Sequence, residues 1–217
     1  MTTEVQVPAA GAALPGDLVV PPEPRGVVLF AHGSGSSRHS PRNRQVAGAL
    51  QAAGFGTLLM DLLTEEEGRL DAATGELRFD IPLLTGRLTA AADWLAALDG
   101  LTGLPLATFG ASSGAAAALV TAADRQDRVR AVISRGGRPD LAGEALSRLR
   151  APTLLIVGGA DHRVLDLNRS AAERLVAEHE IAVVAGATHL FPEPGALDQV
   201  IDRSVDWLTR WLPTPAE

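Results

Sequence analysis

A glycine-flanked pentapeptide, Gly110–Gly114 (sequence GASSG), constrains the fold of this chain more than any other segment. The apolar run 104–109 before it predicts a buried strand, and the alanine-rich run 115–123 after it predicts a helix. Between a strand and a helix, the pattern G-x-S-x-G predicts a nucleophile elbow, a sharp turn that exposes the serine hydroxyl. Gly110 and Gly114 remove the side chains that would collide where the strand and the helix close on each other. Ser112 is therefore the candidate nucleophile.

Segments that predict strands alternate with segments that predict helices along the whole chain. This alternation predicts a doubly wound, mostly parallel sheet with helices on both faces, built as a single domain over residues 1–217. Residues 1–24 predict an antiparallel hairpin at the edge of the sheet. The acidic, glycine-interrupted segment 64–80 is predicted to be an irregular connection, and helices are expected at 40–53, 81–98, 140–150, 165–178 and 195–212.

The composition excludes several classes of protein. A net charge of −7 argues against nucleic acid as a partner. The chain has no cysteine, so it has no disulfide, no thiolate nucleophile and no cysteine metal site. All 19 basic residues are arginine, which removes Schiff-base chemistry on lysine. Without a signal-like segment at residues 1–15 or an apolar run of roughly 20 residues, we expect a cytoplasmic protein without membrane contact, either a monomer or a homodimer.

Five histidines are candidates for the base that a serine nucleophile needs. His189 is favoured because it follows the last predicted strand, at the sheet edge where parallel strands end and ligands bind. His32 precedes the glycine-rich loop 33–37 and is expected to orient that loop, although it is also a candidate substrate contact. The remaining three are His39 in the loop segment just before the helix expected at 40–53, His162 beside an acid candidate, and His179 near a helix end.

Three aspartates could orient the base. Asp161 follows the strand predicted at 152–157, Asp140 follows the strand before it, and Asp166 has the position of a helix N-cap. Asp161 could equally be a turn aspartate that caps the next helix. It is favoured because serine, aspartate and histidine then follow successive late strands in the order typical of a known hydrolase triad.

With these motifs in this order, the chain resembles the α/β-hydrolase superfamily and, within it, the compact dienelactone hydrolase-like branch, which has little or no lid. The resemblance covers nearly the whole chain, from the His32–Gly33 loop to His189. It implies hydrolysis of a small carboxylic ester, thioester or lactone through an acyl-enzyme, with no cofactor and no metal ion. It also implies an oxyanion hole made by the backbone N–H groups of Ser113 and Ser34. Dienelactone hydrolases proper carry a cysteine nucleophile, so Ser112 favours a general esterase.

Two alternatives stay open at this stage: an acyltransferase that uses the same triad, and a non-catalytic protein of this fold that binds a small anionic ligand. Arginines near the predicted site bear on the second alternative, namely Arg38 beside the glycine-rich loop, and Arg135 and Arg138 after a strand. They could bind an anionic group of the substrate through their guanidinium groups. They could instead pair with acidic residues such as those at 65–67.

Overall fold

The computed structural model describes residues 1–212 and places eight strands in one sheet. The strand order is β1-β2-β4-β3-β5-β6-β7-β8. Strands β3 to β8 are parallel, and β2 is antiparallel to both β1 and β4. Residues 213–217 of the predicted domain lie outside the described residues. The strands are β1 (Thr2–Ala9), β2 (Ala12–Val19), β3 (Val27–Ala31), β4 (Gly56–Met60), β5 (Leu106–Ala111), β6 (Val129–Arg135), β7 (Thr153–Gly158) and β8 (His179–Val184).

Helices cover both faces of this sheet, which confirms the predicted fold class. Helices α1 and α7 pack on one face, and α3, α4 and α6 pack on the other. The central strands β3, β4, β5 and β7 are buried along their whole length, as their continuous apolar sequences predict. The helices are α1 (Pro41–Ala52), α2 (Glu65–Thr74), α3 (Ile81–Ala97), α4 (Gly114–Asp124), α5 (Ala145–Arg148), α6 (His162–Ala172) and α7 (Ala196–Trp211).

Local sequence signals explain several helix boundaries. The Ser40 side chain accepts a hydrogen bond from the N–H of Asn43, and Pro41 occupies the first turn of α1, as predicted.

At the edge of the sheet, Ala10 and Gly11 have positive φ angles of 47° and 84°, respectively. This pair of angles is typical of the tight turn that joins the two strands of a hairpin, here β1 and β2.

The prediction of an irregular connection at 64–80 was wrong, because this segment contains α2 and a 3₁₀ turn at Leu77–Phe79. Thr64 and Glu67 form a reciprocal capping box at the start of α2, and Gly75 ends the helix in the left-handed conformation. These two caps stabilise the ends of a helix that contains Gly68, and the acidic residues of its first turn also favour a helix N-terminus.

Two other predictions need correction. The helix expected at 140–150 is broken into a 3₁₀ turn at Pro139–Ala142 and the short α5, because Gly143 takes a positive φ of 57° between them. Asp166 is not a helix N-cap, since α6 begins four residues earlier, at His162, and places Asp166 inside the helix.

Candidate active site

The turn after β5 has the strained backbone that an exposed nucleophile requires. Ser112 has a φ of +50°, a conformation that costs energy in any residue with a side chain. A methyl group added to Gly110 would lie 2.3 Å from Cα of Ala115, and one added to Gly114 would lie 2.4 Å from the carbonyl oxygen of Ala31. Only glycine fits at these two positions, so the pentapeptide predicted from the sequence sets the geometry of the turn.

Asp161 and His189 are joined by a hydrogen bond, with 2.7 Å between Oδ2 of Asp161 and Nδ1 of His189. Asp161 occupies the N-cap position of α6, yet its side chain makes no capping hydrogen bond and binds the imidazole instead. Of the alternatives, Asp140 is bound on both carboxylate oxygens by Arg138. The geometry therefore brings together the acid and base candidates favoured by the sequence.

Backbone contacts hold the loops that carry Asp161 and His189 against each other. The N–H of Ala160 donates to the carbonyl of Ala187, at 2.9 Å, and a methyl group on Gly158 would lie 2.4 Å from that same oxygen. Further along the loop, Oε1 of Glu193 accepts hydrogen bonds from both the N–H and the hydroxyl of Thr188. Sequence reasoning missed this contribution of Glu193, because nothing in the local pattern distinguishes it from a surface acid.

The end of β6 contacts both Ser112 and His189. The N–H of Ser112 donates to the carbonyl of Arg135. A methyl group on the next residue, Gly136, would lie 3.6 Å from Cε1 of His189. Within residues 1–212, no hydrogen bond joins the Ser112 hydroxyl to the His189 ring. Catalytic hydrogen bonds of this kind often form fully only when substrate is bound.

The two residues predicted to supply oxyanion donors are in direct contact. The hydroxyl groups of Ser34 and Ser113 lie 2.8 Å apart. Among the described residues, neither backbone N–H donates to another backbone carbonyl or side chain, so both remain available to a ligand. A methyl group on Gly33 would lie 2.9 Å from Cβ of Ser112, so this loop packs directly against the nucleophile.

Both ring nitrogens of His32 are hydrogen-bonded to the backbone. Nε2 accepts from the N–H of Leu62 at 3.0 Å, so Nδ1 carries the proton and donates to the carbonyl of Gly33. Burial lowers the pKa of His32 below its usual value, which keeps the ring neutral at neutral pH. His32 thus ties the glycine-rich loop to the end of β4, and neither ring nitrogen is left for a substrate.

The arginines predicted near the site differ in their partners. Arg38 binds Asp61 through its backbone and its guanidinium, and Arg138 binds Asp140. Neither pairs with the acidic residues at 65–67, which sequence reasoning offered as partners. The guanidinium of Arg135 has no such partner within residues 1–212, and the side chain is only 8% exposed.

A cavity of about 570 Å³ opens beside the glycine-rich loop 33–37, between that loop and α2. Ser34 and Ser113 form part of its wall, and Leu62, Leu63 and Leu84 supply an apolar surface. The wall also contains six charged residues, namely Arg38, Asp61, Glu65, Arg69, Asp71 and Arg78. Among the described residues, Ser112, Asp161 and His189 are not part of this wall. The volume of the cavity is in the usual range of small-molecule sites.

The described part of the chain contains no group of three or more histidine, aspartate or glutamate residues placed to hold a metal ion. Across residues 1–212, no helix combines the length and the apolar character needed to cross a membrane.

The sheet order, the turn at Ser112 and the Asp161–His189 pair define an α/β-hydrolase fold. The model of the dienelactone hydrolase family matches residues 14–207, and the chain belongs to this family. It is 51% identical to a dienelactone hydrolase from Anabaena variabilis ATCC 29413, with a TM-score of 0.95 and coverage of 97% of this chain and 98% of the other. Est1E from Butyrivibrio proteoclasticus shares the fold at 15% identity, with a TM-score of 0.81 and coverage of 96% and 98%.

A longer relative carries a different name. The chain is 55% identical over 212 residues to a protein of Mycobacterium tuberculosis (strain ATCC 25618 / H37Rv) named "Putative phosphoribosyl transferase". The match covers 98% of this chain and 47% of the relative, so the chain spans about half the length of the curated relative.

Proposed function

We propose that this chain is a serine hydrolase that cleaves small carboxylic esters, thioesters or lactones through an acyl-enzyme. The observation that carries the proposal is the hydrogen bond between Asp161 and His189 next to a strained serine turn. The three side chains follow the carboxyl ends of β5, β7 and β8, three parallel strands of one sheet. Membership of the dienelactone hydrolase family supports hydrolysis as the reaction class.

The arrangement gives each group a distinct role in the proposed reaction. Oδ2 of Asp161 accepts a hydrogen bond from the protonated Nδ1 of His189, which leaves Nε2 as the base. Nε2 takes the hydroxyl proton as Oγ of Ser112 attacks the carbonyl carbon, and the N–H groups of Ser34 and Ser113 stabilise the resulting oxyanion. Collapse of the intermediate breaks the bond to the leaving alcohol, which receives the proton from Nε2. Water then repeats the sequence on the acyl-enzyme and releases the acid.

The cavity next to the glycine-rich loop 33–37 indicates a substrate of modest size. Its volume of about 570 Å³ accommodates a small-molecule ester, and its wall combines leucines with charged side chains. Segment 65–79, which contains α2, borders this cavity.

Phosphoribosyl transfer, the reaction in the name of the longer relative, is the competing function. The relative is about twice as long as the matched region, so its name applies to more than the part that this chain shares. A transferase of that class would release pyrophosphate from phosphoribosyl pyrophosphate in the presence of an acceptor, without any need for Ser112. Pyrophosphate release by both the wild-type protein and Ser112→Ala would favour this alternative.

The direct test is hydrolysis of a panel of para-nitrophenyl esters by Ser112→Ala. This change removes one hydroxyl at the turn and should abolish turnover while leaving the melting temperature nearly unchanged. Ser170→Ala, an exposed serine on α6, is the matched control and should retain full activity. Wild-type activity in purified Ser112→Ala would refute the proposal.

A further inference from the structure

The hydroxyl groups of Ser34 and Ser113 form an isolated pair in the wall of the cavity. The two oxygen atoms lie 2.8 Å apart, and among the described residues neither hydroxyl has another hydrogen-bond partner. The two residues are 79 positions apart in the chain, and each also carries one of the backbone N–H groups assigned to the oxyanion. The contact between the side chains therefore joins the two halves of the proposed oxyanion hole.

Burial decides which of the two hydroxyl groups donates. Ser113 is only 1% exposed, whereas Ser34 is partly exposed. If Ser34 were the donor, the hydrogen of the Ser113 hydroxyl would be enclosed without an acceptor in the described part of the chain. A buried donor without a partner is costly, so Ser113 donates to Oγ of Ser34. The hydrogen of the Ser34 hydroxyl is then free to point into the cavity.

A tight turn fixes Ser34 beside the nucleophile. The N–H of Ser36 donates to the carbonyl of Gly33 at 3.2 Å, and Gly35 has a positive φ of 65°. This pattern is typical of a type II turn with Ser34 at its second position. Gly33, the first residue of the turn, packs against Cβ of Ser112. Three covalent bonds separate Oγ of Ser34 from its own backbone nitrogen, so an oxygen atom bound by this N–H also lies near the hydroxyl.

We propose that the hydroxyl of Ser34 is a third donor of the oxyanion hole and that the hydroxyl of Ser113 orients it. Two backbone N–H groups and one side-chain O–H then share the negative charge that forms when Oγ of Ser112 attacks the ester. This proposal rests on the proposed hydrolase function and adds a side-chain donor to it. A donor aimed at the oxyanion acts mainly in the transition state, so its loss lowers kcat and leaves KM nearly unchanged.

Ser34→Ala tests the proposal, because this change removes the hydroxyl and keeps both backbone N–H groups. On para-nitrophenyl acetate, kcat should fall about a hundred- to a thousandfold, with a change in KM of less than about threefold. The second substrate is para-nitrophenyl thionoacetate, in which sulfur replaces the carbonyl oxygen. The negative charge then develops on sulfur, a weak hydrogen-bond acceptor, so the same change should lower kcat by less than about tenfold.

Two further variants and a control test the orienting role of Ser113. Ser34→Thr keeps the hydroxyl and should retain most of the wild-type kcat. Ser113→Ala leaves the Ser34 hydroxyl without its orienting partner and should lower kcat on para-nitrophenyl acetate about three- to tenfold. The double variant should be no slower than Ser34→Ala alone, because Ser113 then has no hydroxyl to orient. Ser170→Ala, exposed on α6, is the matched control and should keep full activity on both esters.

An equal loss of kcat on the oxygen and sulfur esters in Ser34→Ala would overturn the proposal, because the hydroxyl would then only support the turn. An unchanged kcat on para-nitrophenyl acetate would also overturn it, while activity of the wild-type protein would leave the hydrolase function in place. If the wild-type protein hydrolyses neither ester, both the hydrolase function and the third donor fail. If Ser34→Ala does not fold, Ser113→Ala decides on the same pair of esters: a larger loss on the oxygen ester supports the proposal, and equal losses overturn it.

Discussion

Replacing the buried cation of Arg135 with a neutral side chain of similar shape should stabilise the protein. Arg135→Met keeps most of the volume and removes a charge that has no internal partner. Most substitutions of buried residues destabilise, so a gain in stability would be an unusual result that follows from the missing partner.

The pKa of Arg135 gives the size of the effect. Its fall to about 10, from the ordinary value for arginine, is equivalent to about 3 kcal/mol against the charged form in the folded protein. The penalty is fully present below pH 10 and disappears as the pH rises through the ordinary pKa of arginine, so it acts in full at pH 7. Imperfect packing of the methionine offsets part of the gain, which leaves an expected increase of about 1–2 kcal/mol in the free energy of unfolding.

Urea denaturation at pH 7 without ligand measures this change. For a protein of this size, the gain corresponds to a rise of about 2–8 °C in Tm. Arg138→Met is the matched control, because it removes an arginine that is paired with Asp140, and it should not stabilise. Arg42→Gln should also stabilise the wild-type protein, but less so in the Arg135→Met background, where the repulsion between the two cations is already gone. A loss of 2 kcal/mol or more in Arg135→Met would refute the reasoning, since it would reveal an internal partner for the guanidinium.

Three further predictions concern the rest of the site. Asp161→Asn should lower kcat by roughly three to four orders of magnitude, because the asparagine favours the wrong tautomer of His189. Asp140→Asn should lower kcat far less. Steady-state kinetics would contradict the assignment if the two effects were reversed. The lowered pKa of His32 makes the folded protein bind fewer protons than the unfolded chain below pH 6.5. The free energy of unfolding should therefore drop by up to about 1.4 kcal/mol per pH unit as the pH falls. In urea titrations between pH 4.5 and 6.5, His32→Asn should flatten this slope. An unchanged slope would exclude His32 as its source. Glu193→Gln should weaken the hold on the His189 loop and lower kcat several-fold with little change in KM, whereas a change in KM alone would place Glu193 in substrate binding.

The sequence predicted the parts of the site that depend on local pattern and on strand order. Ser112 was predicted to lie on a sharp turn because small residues are required on both sides of it, and the contacts of Gly110 and Gly114 show why. Asp161 and His189 were brought together by a general property of parallel sheets, whose strands all end at the same edge. Those predictions needed no knowledge of side-chain packing.

The pairing of charges could not be predicted in this way. Sequence reasoning offered the acidic segment 65–67 as a partner for the arginines of the site, but Glu67 binds Arg87 of α3. It also missed α2, although the capping signal formed by Thr64 and Glu67 is present in the sequence. Ion pairs join residues far apart in the chain, so the missing partner of Arg135 became visible only in the structure.

Mass spectrometry of the intact protein, quenched in acid during turnover of para-nitrophenyl acetate, tests the central claim most directly. A serine hydrolase accumulates an acyl-enzyme, so the wild-type protein should gain the mass of one acetyl group. Peptide mapping should place this group on Ser112, and Ser112→Ala should gain no mass. An acetyl group on a different residue, or the same gain in mass in Ser112→Ala, would contradict the account.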